Sequence, residues 1–226
     1  MSQSSAALSG GVRARKFVYR ILFYVLGLLI MAFGVAISVN SELGVSTVNS
    51  LPYVISLITG SNLGTCVIIV FGCYIVVQIL LLRKQFKWIN LTQIIFSTIF
   101  GYFTDFAKFV VGDFALPTYF GKLVMLAVSI VMIAVGVSMY VGTKLINMPM
   151  EGMTSAITEL LPGKSFHQVK VVVDCIVVVA ALVLSLVFLH GLYGVREGTI
   201  LCALLVGSAM KPIQKVLLPV MNRICF

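Results

Sequence analysis

Charge is scarce in this chain. Asp, Glu, Lys and Arg make up 10% of the 226 residues, where a soluble domain carries about 25%. That deficit excludes an ordinary water-soluble globule. Acids are scarcer still, seven against sixteen Lys and Arg, and histidine occurs only twice. The five cysteines (Cys66, Cys73, Cys175, Cys202 and Cys225) have no metal-ligand spacing. Four lie in apolar runs and the fifth is next to the C-terminus, which is no disulfide framework. Buried free cysteines of this kind act as small hydrophobes. Zinc wants three or four close ligands, and no such group is visible, so no metal site is expected. The patterns G-x-S-x-G, H-E-x-x-H and the P-loop are all missing. The sequence therefore points away from an enzyme and calls for no cofactor.

What is abundant is apolar length. Hydrophobic residues make up 60% of the chain, and the mean hydropathy is +1.12. A helix crossing the hydrocarbon needs about 20 apolar residues. Six segments qualify: 17–39, 62–82, 89–111, 120–143, 168–190 and 197–219. Only helices or closed barrels satisfy the backbone in lipid. These runs are continuous rather than alternating, which selects helices. The expected class is an all-α integral membrane protein with six transmembrane helices. Residues 1–16 read as a disordered cytoplasmic tail and 220–226 as a C-terminal cytoplasmic tail. The first apolar run is long enough to remain a membrane helix rather than be removed as a signal peptide. Trp88, Tyr19, Tyr119 and Tyr193 fall near proposed helix ends, as interfacial aromatics do.

The net charge of +9 follows from topology and implies no nucleic-acid partner. Arg13, Arg15, Lys16 and Arg20 precede the first helix. Arg83, Lys84 and Lys87 follow the second. Lys144, Lys164 and Lys170 flank the loop between the fourth and fifth, and Lys211, Lys215 and Arg223 close the chain. Only Lys108, Lys122 and Arg196 fall on the other side. The positive side is cytoplasmic, so both termini lie inside.

Two polar interruptions organise the rest. Residues 40–62 start and end outside, and residues 145–164 start and end inside. Each is a short helix that either dips into the membrane and returns or lies on the interface. Their matching positions favour the re-entrant form. The order long, short, long, long recurs in both halves, 17–112 and 119–219. With three crossings per half, this is the arrangement of a 3+3 inverted repeat. An offset of 102 residues sets Gly34 on Gly136, Leu43 on Leu145 and Cys73 on Cys175. A further four residues set Gly101 on Gly207. The pairs Ser97–Gly101 and Ala203–Gly207 allow close helix contact. They suggest that the last helices of the two halves pack on each other near a pseudo-two-fold axis.

Ionisable groups inside a membrane are costly and usually face a cavity or a partner. Asp174 lies about two turns into the fifth helix, with Lys170 one turn earlier on the same face. The two form either a structural ion pair or part of a binding site. Glu151 sits near the deep tip of a re-entrant second interruption, beside Gly152, Thr154 and Ser155. Its counterpart in the first half is Asn49, flanked by Ser46, Thr47 and Ser50, and Glu42 opens that interruption. Such broken helices are where transporters hold polar substrates. The candidate substrate-binding set is Glu151, Asp174, Lys170, Asn49, Thr154, Ser155 and Glu42. Gln78 and Gln93 are expected to tie helices together.

The run GVSMYVGTKLINMPMEGMTSAI, followed by FHQVKVVVD and GVREGTILCALLVG, resembles the bacterial YczE/YyaS/YitT group of small membrane proteins. In the first half, SELGVSTVNSLPYVIS followed by SNLGT has the same cast. The resemblance covers roughly residues 18–218. It implies a multi-pass protein of the bacterial cytoplasmic membrane, and so speaks to location more than to activity. The residues themselves suggest a secondary transporter or facilitator of a small polar organic solute or ion, bound between the halves. A coupling proton or ion and a homo-oligomer are compatible with it. The alternative is a substrate-binding or accessory membrane subunit that works only with a partner complex.

Overall fold

The computed structural model describes residues 2–86 and 88–225; the side chains of residues 2–13, Lys84 and His167 lie outside the description. All regular structure among the described residues is helical. The order is α1 (Ser2–Asn40), α2 (Thr47–Thr59), α3 (Leu63–Leu82), α4 (Thr92–Val111), α5 (Tyr119–Gly142), α6 (Pro149–Leu160), α7 (Phe166–Leu189) and α8 (Glu197–Cys225), with two short 3₁₀ turns before α4. Six stretches among them are long and apolar enough to span a membrane: Ala14–Asn40, Leu63–Leu82, Trp88–Val111, Tyr119–Gly142, Gln168–Leu189 and Glu197–Cys225. They agree with the six expected segments to within a few residues, except at the end of the sixth.

Both expected tails differ from the structure. Helix α1 begins at Ser2, because extending a formed helix needs no new nucleus. Helix α8 runs to Cys225, and Met221 and Cys225 are buried. They continue a packed helix rather than forming a polar tail. The cysteines also divide: Cys66, Cys202 and Cys225 are buried, while Cys73 and Cys175 face outward.

Hydrogen bonds define the two ends of the bundle. At one end Asn40 donates to the carbonyls of Gly112 (2.8 Å) and Phe114 (3.1 Å). Lys122 pairs with Glu42 there, and Arg196 donates to the Glu42 carbonyl (3.0 Å). At the other end Arg20 donates to the carbonyls of Thr143 (2.9 Å) and Lys144 (3.0 Å). Tyr24 donates to Ile146 O (3.1 Å), and Gly142 lies against Leu218 and Met221 of α8. The three basic residues set apart by the charge count, Lys108, Lys122 and Arg196, thus lie at the Asn40 end.

Helices α1 and α5 form the central pair. A Cβ on Gly27 would stand 2.8 Å from Gly136 O, and one on Gly136 would stand 2.5 Å from Gly27 O. Lipid tails are as apolar as leucine, so such close packing, rather than hydrophobic burial, is what holds membrane helices together. Around this pair the packing runs in matched sets. Helix α4 packs on α1 and α8 on α5; α2 packs on α7 and α3 on α6; α2 packs on α3 and α6 on α7. The expected pairing of α4 with α8 is not what the glycines show. Gly101 of α4 meets Gly64 of α3, and Gly207 of α8 meets nothing within 4 Å. A small-residue spacing marks a helix face that allows close approach but does not name its partner.

The match breaks most strongly at α3 and α4. Helices α3 and α4 pack along a tight seam, in which a Cβ on Gly64 would stand 1.9 Å from Gly101 O. Gly64 N–H also donates to Asp105 Oδ1 (2.6 Å), and the Phe71 and Phe100 rings stack across the two helices at 6.1 Å. Helices α7 and α8 are not packed along each other in this way.

Both short helices lie inside the bundle rather than along its surface. Asn49, Ser50, Pro52, Val54 and Ser56 of α2 are buried, as are Pro149, Met150, Met153, Thr154 and Ala156 of α6. Irregular backbone at membrane depth is tolerated where protein covers it. The approach to α2 is fixed by Val45 N–H donating to Gly194 O (3.0 Å) and Gly198 N–H donating to Leu43 O (2.7 Å). The start of α6 is held by Gln78, whose Nε2 donates to Gln93 Oε1 and to Pro149 O, both at 3.0 Å. Gln78 and Gln93 thus tie α3, α4 and α6, as their chemistry suggested.

Candidate functional site

The gap between α7 and α8 opens into a cavity of about 270 Å³. Its walls come from both halves of the chain. Met31 of α1, Phe71 of α3 and Ile133 and Val137 of α5 supply an apolar back wall. Val206, Gly207 and Met210 of α8 form one lip, and Lys170, Val171 and Asp174 of α7 the other. The first turns of both short helices reach it, through Ser46 and Thr47 of the α2 start and Met148 and Glu151 of the α6 start. Neither Ser46 nor Met148, the residues that open these helices, makes a side-chain capping bond.

Three of the predicted site residues meet in this cavity. Lys170 Nζ lies 3.2 Å from Asp174 Oδ1, one turn apart on α7. The two form an ion pair, and both line the cavity. Among the described residues Glu151 has no salt-bridge partner. Its Oε1 accepts a long hydrogen bond from Tyr140 Oη (3.3 Å), and its Oε2 is buried with no partner. Burial pushes the Glu151 carboxyl above the ordinary carboxylate range, against the opposing pull of the Lys170 charge, its own backbone N–H and the Tyr140 hydroxyl. Removing water disfavours the charged form, and here that outweighs the attraction.

The other predicted residues are dispersed. Asn49 is buried one turn behind the cavity wall; its Nδ2 donates to Ser46 Oγ (2.9 Å), and its Oδ1 has no partner. Thr154 is buried and donates back to Met150 O (2.8 Å), as helical threonines commonly do. Ser155 faces a separate pocket with Lys144, Asn147 and Glu159. Glu42 belongs to the opposite end. Its side chain is 64% exposed, and the Lys122 hydrogen bond and charge hold its carboxyl below the ordinary range. Its ion pair with Lys122 fastens the α1–α2 loop to α5 and does not reach the cavity. His167 lies outside the described side chains.

Sequence reasoning counted Tyr140 among the polar groups inside the spans but gave the tyrosines no part in the site. Tyr24 and Tyr140 contact each other edge-on at 5.7 Å, and both are fully or almost fully buried. Tyr140 holds Glu151, while Tyr24 reaches the α6 approach through Ile146 O and Met148 Sδ. Tyr74, whose hydroxyl has no partner, belongs to the same core. Position offered a signal for two of them: tyrosines near helix ends read as interfacial anchors, whereas Tyr24 and Tyr74 lie well inside the spans, and Tyr140 lies two residues from the end of α5.

A family profile described as a family of unknown function, DUF6198, matches residues 18–215. The uncharacterized membrane protein YczE of Bacillus subtilis strain 168 is 29% identical over 199 residues, covering 87% of this chain and 86% of its own length. The uncharacterized protein YyaS of the same organism is 26% identical over 140 residues, covering 62% of this chain and 68% of its own. No solved structure matches.

Proposed function

The chain belongs to the DUF6198 family, and we propose that it is a secondary transporter or facilitator of a small polar organic solute or ion, built as a 3+3 inverted repeat in a bacterial cytoplasmic membrane with both termini inside. The observation that carries the reading is one cavity, walled by both halves, at which two short helix starts meet an unpaired carboxylate. Discontinuous helices that meet between repeats are how secondary transporters form their sites. The packing supports the repeat: exchanging α1–α4 for α5–α8 converts most helix pairs into one another. It also supports alternating access. The seam that breaks the match is closed in one half, at Gly64 and Gly101, and parted in the other, at Gly207.

The test is a thermal-shift screen of purified protein against small metabolites, followed by flux of any hit in proteoliposomes. A ligand that binds only the folded state raises the melting temperature by mass action. The reading expects a hit that Glu151→Gln or Asp174→Asn weakens, and flux that follows it. Tight binding with no flux from the protein alone would overturn transport and favour an accessory binding subunit.

A further inference from the structure

The chemistry of the cavity narrows the solute. Lys170 and Asp174 neutralise each other at 3.2 Å. Among the described residues that line the cavity, Glu151 is the acid left without a salt bridge, and its Oε2 is buried with no hydrogen-bond partner. The groups facing it are Lys170 and Asp174 from α7, Tyr140 from α5 and Tyr24 from α1. Helices α3 and α4 bring the neutral Gln78 and Gln93 beside α6, and Tyr74 of α3 lies within reach of Asp174. An ionised Glu151 would therefore leave the cavity one negative charge in excess. An uncompensated buried charge is expensive, so something must neutralise it. Two neutralisers fit, a proton or a cation, and each excludes the other.

The remaining walls say which cation. They are mostly apolar: Met31, Phe71, Ile133, Val137, Val206 and Met210. A bare metal ion wants six or more oxygens, and this lining is too poor in them. An orphaned acceptor wants an N–H donor, which a protonated amine supplies. Asn49, set 102 residues before Glu151, likewise buries an oxygen with no partner. We propose that the cavity binds a monocationic amine with a compact apolar body, its N–H seated on Glu151 Oε2, and that amine and proton replace one another on that carboxylate. The inference deepens the transport reading and rests on it for direction, since such a site exchanges one proton outward for one amine inward, or the reverse.

The experiment is calorimetric titration of the purified full chain with benzylammonium, benzyl alcohol, benzoate and sodium chloride, from mildly acidic to mildly alkaline pH. Benzylammonium stays protonated throughout. The expected result is binding of benzylammonium and not of its neutral or anionic analogues. Its affinity should fall by about tenfold per pH unit on the acid side, with about one proton released per amine bound. Glu151→Gln should abolish both the binding and the proton release. The comparison of analogues in the unaltered protein needs no variant, so a poorly folded variant does not decide the matter. Preferred binding of benzoate would make Lys170 and the helix starts an anion site and overturn the proposal. Equal binding of benzyl alcohol, a sodium effect that displaces the amine, or no amine binding at all would also overturn it. Amine binding with proton release but no flux in proteoliposomes would sink the transport reading and leave this site standing.

Discussion

Alanine at Gly64 should damage the protein far more than alanine at Gly207. A Cβ on Gly64 would stand 1.9 Å from Gly101 O and 2.7 Å from the Asp105 carboxyl. Ordinary contact begins near 3.4 Å, so the α3–α4 seam must open by about 1.5 Å, the difference of those distances. The obstacle is backbone, which no rotamer change can relieve. Overpacking of this kind costs roughly 1–3 kcal/mol and occasionally more. Helix propensity returns up to about 1 kcal/mol of it. For a chain of this size 1 kcal/mol is roughly 2–4 °C in melting temperature, so the expected loss spans a few degrees to about 10 °C.

Gly207 is the counterpart of Gly101 under the repeat offset, yet a Cβ there meets nothing within 4 Å. Gly207→Ala should keep or slightly raise the melting temperature through helix propensity alone. Gly101→Ala should fall between: the Ile68 side chain 2.5 Å away can turn aside, and the backbone obstacle, Gly64 O, stands at 2.7 Å rather than 1.9 Å. The assay is thermal unfolding in one detergent, read by tryptophan and tyrosine fluorescence. The order Gly64→Ala, then Gly101→Ala, then Gly207→Ala is the prediction. Equal losses at Gly64 and Gly207 would refute the difference between the two seams.

Three further outcomes are expected. Gln78→Leu removes two hydrogen bonds that join α3, α4 and α6; at about 0.6 kcal/mol for each interhelical bond, melting should fall by a few degrees, and an unchanged value would count against the tie. Burial raises the Glu151 carboxyl, so the folded state holds a proton there that the unfolded state has already lost. Stability should then decline as pH rises from the ordinary carboxylate range through the raised one, and thermal unfolding of Glu151→Gln should lose that decline; an identical pH profile in the variant would show that another group is responsible. Reporter fusions at the two termini should report the same side of the membrane, because Arg20 and Met221 lie at one end of the bundle; opposite sides would break the six-span topology.

The spans were legible because lipid imposes a length on each apolar run, and the structure keeps those lengths. The short helices were legible as interruptions, since Asn40–Asn62 and Leu145–Lys164 are too polar and too short to cross. Glu151, Lys170 and Asp174 were legible as costly charges needing a cavity. Tertiary choice was not. Ser97-x-x-x-Gly101 and Ala203-x-x-x-Gly207 look alike in sequence, but only Gly101 found a glycine facing it. Glu42 read as a site residue because it opens the first interruption. Its fate depended on Lys122 and Arg196, which are 80 and 154 residues away along the chain. Buried tyrosines gave no periodic signal at all.

Most helix pairs match between the two halves, but the charges do not. Under the 102-residue offset Glu151 corresponds to Asn49, Lys170 to Ile68 and Asp174 to Gly72. Gly72 meets nothing within 4 Å, so the first half carries open space where the second carries a carboxylate. The half with the charges is also the half whose seam is parted. Beside the parted α7 and α8, Lys170 and Asp174 are partly exposed, at 28% and 21% of their side chains. The closed α3–α4 seam encloses no such pair and can pack glycine against glycine. Closing α7 on α8 would strip water from three ionisable groups at once, which is expensive unless a counter-charge enters with them. In the transport reading proposed above, closure would be cheapest with the cavity neutral, a proton or a cation on Glu151, and the movement of the seam would follow the occupancy of the site.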